Sequence, residues 1–191
     1  LLILAGAVED SPASWGAVLM REELGTSAGA AGLVYLAFMV AMTGSRLTAD
    51  RLADRWSPEA MLRAAGMAIA VGTGLGLLAD HPVAAVAGFA VAGWGAGPIF
   101  PTVFHAAGNL PGVPSGHGLA AVSWASRLGF LAVPPLVGAI GDALSVRAAL
   151  AVVPLAGALL LLLAGAVRHD RAGPDVDELE ASHGGPVAGI G

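Results

Sequence analysis

Glu9 and Asp10 are adjacent carboxylates in a run that is otherwise apolar, and Arg127 is a lone guanidinium in another. A carboxylate enclosed by apolar surroundings binds a proton more readily, because desolvation disfavours its charged form. Either Glu9 or Asp10 is therefore a candidate proton carrier. Arg127 is a candidate charge partner for that carboxylate or a clamp for an anionic group, and equally a structural ion pair. Trp15, Trp94 and Trp124, with Ser123 beside the last, offer flat faces for a sugar-like ring, though tryptophan also serves as an interfacial anchor. His105 has no second ligand at three- or four-residue spacing, which favours a cap or gate residue over a metal ligand. A second group, Arg46, Asp50, Arg51, Asp54 and Arg55, falls in the stretch RLTADRLADRWSPEAMLR from Arg46 to Arg63, where charges crowd together.

The elements that must position these groups are membrane-spanning helices. Of 191 residues, 56% are hydrophobic and only 12% charged, about half the share usual in a soluble domain. Mean hydropathy is +0.77. Uncharged runs extend over Leu24–Ser45, Ala64–Ala79, Pro82–Ser126 and Ala148–Val167. A helix needs roughly 20 apolar residues to cross the hydrocarbon core. The 28 glycines suit close helix–helix approach in lipid. With no cysteine there is no disulfide or thiol chemistry.

In order, the spans are predicted at about 1–24, 28–47, 62–79, 83–107, 119–140 and 146–167. The first, opening inside an apolar run without methionine, reads as a truncated helix. Gly25 can close it, and Thr26 or Ser27 can cap the next. Ser57-Pro58-Glu59 is a helix start, with Ser as cap, Pro at the first helical position and a carboxylate at the positive end of the dipole. Asp80-His81-Pro82 is a tight turn. Gly97-Pro98 and Pro101 make the fourth span irregular, and His105 and Asn109 close it. Residues 168–191, with two arginines against five carboxylates and many glycines, are predicted to be a disordered acidic tail. Counting arginines in alternate connectors gives six on the side of Arg46–Arg63 and two, Arg21 and Arg147, on the other. That excess puts the connector and the C-terminus in the cytoplasm.

If the helix continues through the connector, Arg46, Asp50 and Asp54 share one stripe, and pairing of Arg46 with Asp50 and Arg51 with Asp54 is expected. The plain alternative is a solvated loop whose arginines only hold orientation. Arg51-Leu52-Ala53-Asp54-Arg55, with Leu62 seven residues further on, resembles the loop motif G-x-L-A-D-R-x-G-R-R-x-x-L of the major facilitator superfamily. Asp50 stands at the first glycine of that motif, Ser57 at the second, and Pro58-Glu59 at the basic pair. Glu9-Asp10 ahead of Trp15, Gly97-Pro98-Ile99-Phe100-Pro101, Ala106 to Gly112, and Gly129-Phe130-Leu131 before Pro134-Pro135 extend the likeness over about residues 1–168. It is nearest to the fucose-permease-like branch.

The resemblance implies an all-α polytopic bundle, the C-terminal six-helix half of that fold, with five full spans and a truncated first. Its first and fourth helices would line the cavity, its second and fifth meet the other half, and its third and sixth face lipid. The function implied is secondary active transport of a small polar solute, sugar-like and proton-coupled, by alternating access in the plasma or inner membrane. Glu9, Asp10, Trp15, Trp94, His105, Ser123, Trp124 and Arg127 would form the solute and proton pathway. Arg46, Asp50, Arg51, Asp54 and Arg55 would form a cytoplasmic gate. Partners would be the N-terminal six-helix half, the solute, lipid and protons. Two other readings are proton-antiport efflux of drugs or metabolites, and a non-transporting sensor or assembly subunit. No nucleophile–base pair, metal cluster or phosphate loop supports an enzyme, no cofactor is expected, and nucleic-acid binding lacks a basic face.

Overall fold

The computed structural model describes residues 1–110 and 114–167, the side chains of Asp50 and Ser115 excepted. The acidic tail expected at 168–191 and the centre of the turn expected at 110–116 lie outside the described residues. The described part is helical, with no strand. In order come α1 (Leu2–Val18, running into a π-turn at Leu19–Glu23), α2 (Ala28–Ala31), α3 (Leu33–Ala53), α4 (Pro58–Leu78), α5 (Pro82–Ala96), α6 (Ile99–Gly108), α7 (Ser115–Ala143), α8 (Val146–Leu150) and α9 (Val152–Leu163). Among the described residues, five stretches are long and apolar enough to cross a membrane: Ala28–Ala49, Pro58–Leu78, Pro82–Gly108, Gly116–Ala143 and Val146–Val167.

Local chemistry sets the helix ends. Ser27 Oγ accepts from the Ala30 amide, Ser57 Oγ from Ala60, and Ser145 Oγ from Ala148, each at 3.1–3.3 Å. His81 Nδ1 accepts from Val83 at 3.2 Å, after Asp80 has turned the chain in the left-handed region at φ 48°. Asn109 Nδ2 donates to the His105 carbonyl at 2.7 Å where α6 ends. The break between α5 and α6 falls at Gly97-Pro98, since proline has no amide to donate and its ring clashes with the preceding turn.

α5 packs between α3 and α4, α4 also packs on α9, and α1 packs on α7, α9 and α3. Backbones meet at small residues. A Cβ added at Gly66 would stand 2.6 Å from the Gly157 carbonyl oxygen of α9. One at Gly88 would overlap the Gly72 carbonyl, and one at Gly93 the Phe38 carbonyl. Gly129 of α7 lies against Ile3 of α1 in the same way, at 2.9 Å. Without a hydrophobic drive between helices in lipid, such close van der Waals approach holds the bundle together. Phe100 stacks on Phe130 at 6.2 Å between centroids, joining α6 to α7. The spans at Ala28–Ala49 and Gly116–Ala143 are the least covered, with 28% and 22% of their windows buried against 39–56% for the others.

Candidate functional site

Charges inside the bundle pair across helices. Arg46 Nη2 of α3 donates to Glu9 Oε1 of α1 at 2.9 Å, with Glu9 19% and Arg46 45% exposed. Arg46 thus holds a partner 37 residues away, while the side chain of Asp50, its expected partner, lies outside the described residues. The guanidinium reaches across to the neighbouring helix, where the Glu9 carboxylate is largely covered. Among the described residues Asp10, beside Glu9, accepts only from Ser14 Oγ, at 3.2 Å.

Arg127 does not join either carboxylate. It is exposed and has no ion-pair partner among the described residues. Gly129 sets the face of α7 that meets α1. At about 100° per residue, a side chain two positions earlier points some 200° away. Trp124, Leu128 and Leu131 share that outward direction, at 66%, 55% and 75% exposure. Ser123 Oγ is occupied within its own helix by the Leu119 carbonyl at 2.7 Å.

The tryptophans do not form one stacking surface. The Trp15 ring lies over Gly138 and Gly141 of α7, with its Nε1 buried and unpartnered. Trp124 is fourteen residues before Gly138 on the same helix, roughly 21 Å along it at 1.5 Å per residue. Trp94 sits on α5 beside Gly44 of α3, half exposed. Trp15 and Trp94 are held against different helices and Trp124 faces outward, so among the described residues the three rings do not meet.

At the connector end two cavities open side by side. One, about 540 Å³, lies among α3, α4 and α5, lined by Arg51, Arg55, Trp56 and Trp94 among others. The second, about 720 Å³, brings His105 and Thr102 of α6 opposite Asp54, Arg55 and Trp56. Among the described residues no ion pair joins Arg51 to Asp54, and both side chains line the first cavity. The side chain of Asp50 lies outside the described residues.

The opposite end holds a cluster that the motif reading missed. Arg147, at the start of α8, binds Glu23 Oε2 through Nε at 3.0 Å, and its backbone amide donates to Glu23 Oε1 at 2.8 Å. Its Nη2 also donates to Asp80 Oδ1. One guanidinium thus ties the end of α1, the α4–α5 turn and the start of α8. The signal in the sequence was three charges at three turns on the same side of the membrane. Arg147 is only 31% exposed, whereas the Arg63–Glu59 pair within α4 has its arginine 56% exposed. Arg147→Gln should lower stability by about 1–3 kcal/mol, because two acceptors lose a charged donor. Arg63→Gln should stay within about 0.5 kcal/mol. Thermal unfolding of the two variants in detergent checks the contrast.

Residues 2–188 match the family model described as Major Facilitator Superfamily. Similar proteins include an uncharacterized MFS-type transporter of Yersinia pestis, 32% identical over 160 residues, covering 84% of this chain and 41% of that protein. An uncharacterized transporter of Sinorhizobium fredii is 29% identical over 169 residues, covering 88% of this chain and 45% of its own length. Membrane protein MosC of Rhizobium meliloti is 28% identical over 162 residues, with coverage of 84% and 39%. The chain thus spans less than half the length of each of these relatives.

Proposed function

The chain belongs to the Major Facilitator Superfamily, and from that premise we propose that it is one six-helix half of a secondary active transporter for a small polar solute. Two halves rocking about a midplane site give alternating access, and protons drive it. The carrying observation is the Glu9–Arg46 ion pair between α1 and α3, a pair of opposite charges in a bundle of apolar helices. Ionisable residues at membrane depth are expensive and mark ion and solute paths. Protonation of Glu9 removes its charge and frees Arg46, which stands five residues before Arg51 on the helix leading into the connector. Proton uptake at α1 is thereby linked to the cytoplasmic rim.

The other half seats on α3 and α7, whose poorly covered faces carry Leu36, Val40 and Leu47 on one and Trp124, Arg127 and Leu131 on the other. Arg127 meets the solute or an acidic group of that half. Asp54 acts at the rim as a latch towards the same half, on the cytoplasmic side that the arginine excess assigns to the connector.

Full-length protein in proteoliposomes should accumulate or exchange a small polar solute under an imposed pH gradient. Asp54→Asn should slow that flux about tenfold or more while leaving solute affinity within about twofold, as a change of 1.4 kcal/mol in a gating step requires. No protein-dependent flux across sugars, polyols and small organic anions would overturn the transporter reading. Lost binding with normal flux kinetics would remove Asp54 from the gate.

A further inference from the structure

The 540 Å³ cavity at the connector end straddles the boundary between span and connector. The spans on either side end at Ala49 and begin at Pro58, so Arg51, Asp54, Arg55 and Trp56 stand between them. Met61, Ala65 and Ala68 of α4 and Trp94 of α5 continue the lining into the membrane-spanning part. The cavity is therefore charged at its mouth and apolar along its depth. Arg51 and Arg55 have no ion-pair partner among the described residues, whereas Arg46, Arg63 and Arg147 each hold a carboxylate. Among the described side chains of the lining, these two arginines stand against one carboxylate, Asp54.

We propose that this cavity is a binding site for an anionic phospholipid, its phosphate at Arg51 and Arg55 and the upper part of an acyl chain along α4 and α5. The volume falls within the roughly 300–1,000 Å³ usual for small-molecule sites. Trp56 and Trp94, both about half exposed, flank the mouth and the wall. Tryptophan favours this depth because its ring is apolar and its N–H polar. A free phosphate or other soluble anion would satisfy the arginines and leave the apolar wall wet; only a ligand with a charged head and an apolar tail matches both parts. The site is separate from the Glu9–Arg46 pair and stands whether or not that pair couples protons.

Native mass spectrometry of the full-length protein, equilibrated with equal phosphatidylglycerol and phosphatidylcholine of the same acyl chains, tests the proposal. Wild type should retain phosphatidylglycerol in preference. Arg51→Gln with Arg55→Gln should lower its retention about 25-fold, roughly fivefold for each arginine at a membrane surface, and leave phosphatidylcholine unchanged. Arg51→Lys with Arg55→Lys should keep the preference, which separates lost charge from lost fold. Ala68→Phe should lower both lipids by filling the apolar wall. Equal retention of the two lipids by wild type, or undiminished phosphatidylglycerol in the double glutamine variant, overturns the site. Displacement of phosphatidylglycerol by glycerol phosphate at equal concentration would make it a small-anion site and overturn the lipid assignment.

Discussion

Replacing Glu9 with glutamine in the full-length protein should abolish accumulation driven by a pH gradient while exchange of solute down its own gradient continues. Glutamine keeps the shape of a protonated glutamate but cannot lose a proton, so Arg46 stays unpaired through the cycle. Asp10→Asn should leave gradient-driven accumulation near wild type, because among the described residues Asp10 meets only the Ser14 hydroxyl and no arginine. The pair itself lies between two regimes. Exposed ion pairs contribute about 0–1 kcal/mol, and breaking a buried one costs about 3–5 kcal/mol. With Glu9 19% exposed and Arg46 45%, a coupling energy of about 1–2 kcal/mol is expected from a double-mutant cycle of Glu9→Gln and Arg46→Gln on thermal stability. Accumulation by Glu9→Gln equal to wild type would remove this carboxylate from coupling. A coupling energy near zero would mean that the two charges meet without consequence for the fold.

The second large effect belongs to packing. Gly93→Val should leave little folded protein after mild heating in detergent, measured as the monodisperse fraction on size exclusion. Even the first carbon of the new side chain would overlap the Phe38 carbonyl of α3, and a backbone carbonyl cannot rotate aside as a side chain can. Overpacking in a well-filled interior costs about 1–3 kcal/mol, and more where backbone must move. α3 would have to lift from α5, carrying Phe38, which is fully buried. Gly74→Val is the control. Its Cβ would find only Pro154, at 3.9 Å, so a change within about 0.5 kcal/mol is expected. Equal loss in both variants would show that glycine itself, and not the close approach, matters at these positions.

Helix ends were legible in the sequence, because a cap is a local event. The groups that cap α4, turn the chain at Asp80 and close α6 lie within four residues of the amides or carbonyls they serve. Charge partners were not legible. Spacing along a single helix offers Arg46 only partners on its own helix and carries no information about α1, where Glu9 stands 37 residues away. Arg127 showed the same limit. Its depth in an apolar helix called for a partner, while the direction of its side chain depended on which face of α7 meets α1. Gly129 fixes that face by its approach to Ile3, and neither composition nor spacing along α7 says which helix a glycine will meet. The resemblance at residues 51–62 supplied the architecture that local patterns could not.

The Glu23–Arg147–Asp80 cluster has a consequence for biosynthesis. Glu23 and its arginine are separated by 124 residues. At about 5–20 residues per second of translation, Glu23 waits roughly 6–25 s for its partner. Asp80, emerging about halfway, waits for the same group. Until α8 reaches the membrane, three helix ends on that side are held only by packing, and two carboxylates stand without their cation. A nascent chain stalled before Arg147 would therefore display an acidic, unlatched surface that the finished half neutralises, a feature by which quality control could tell the incomplete half from the finished one.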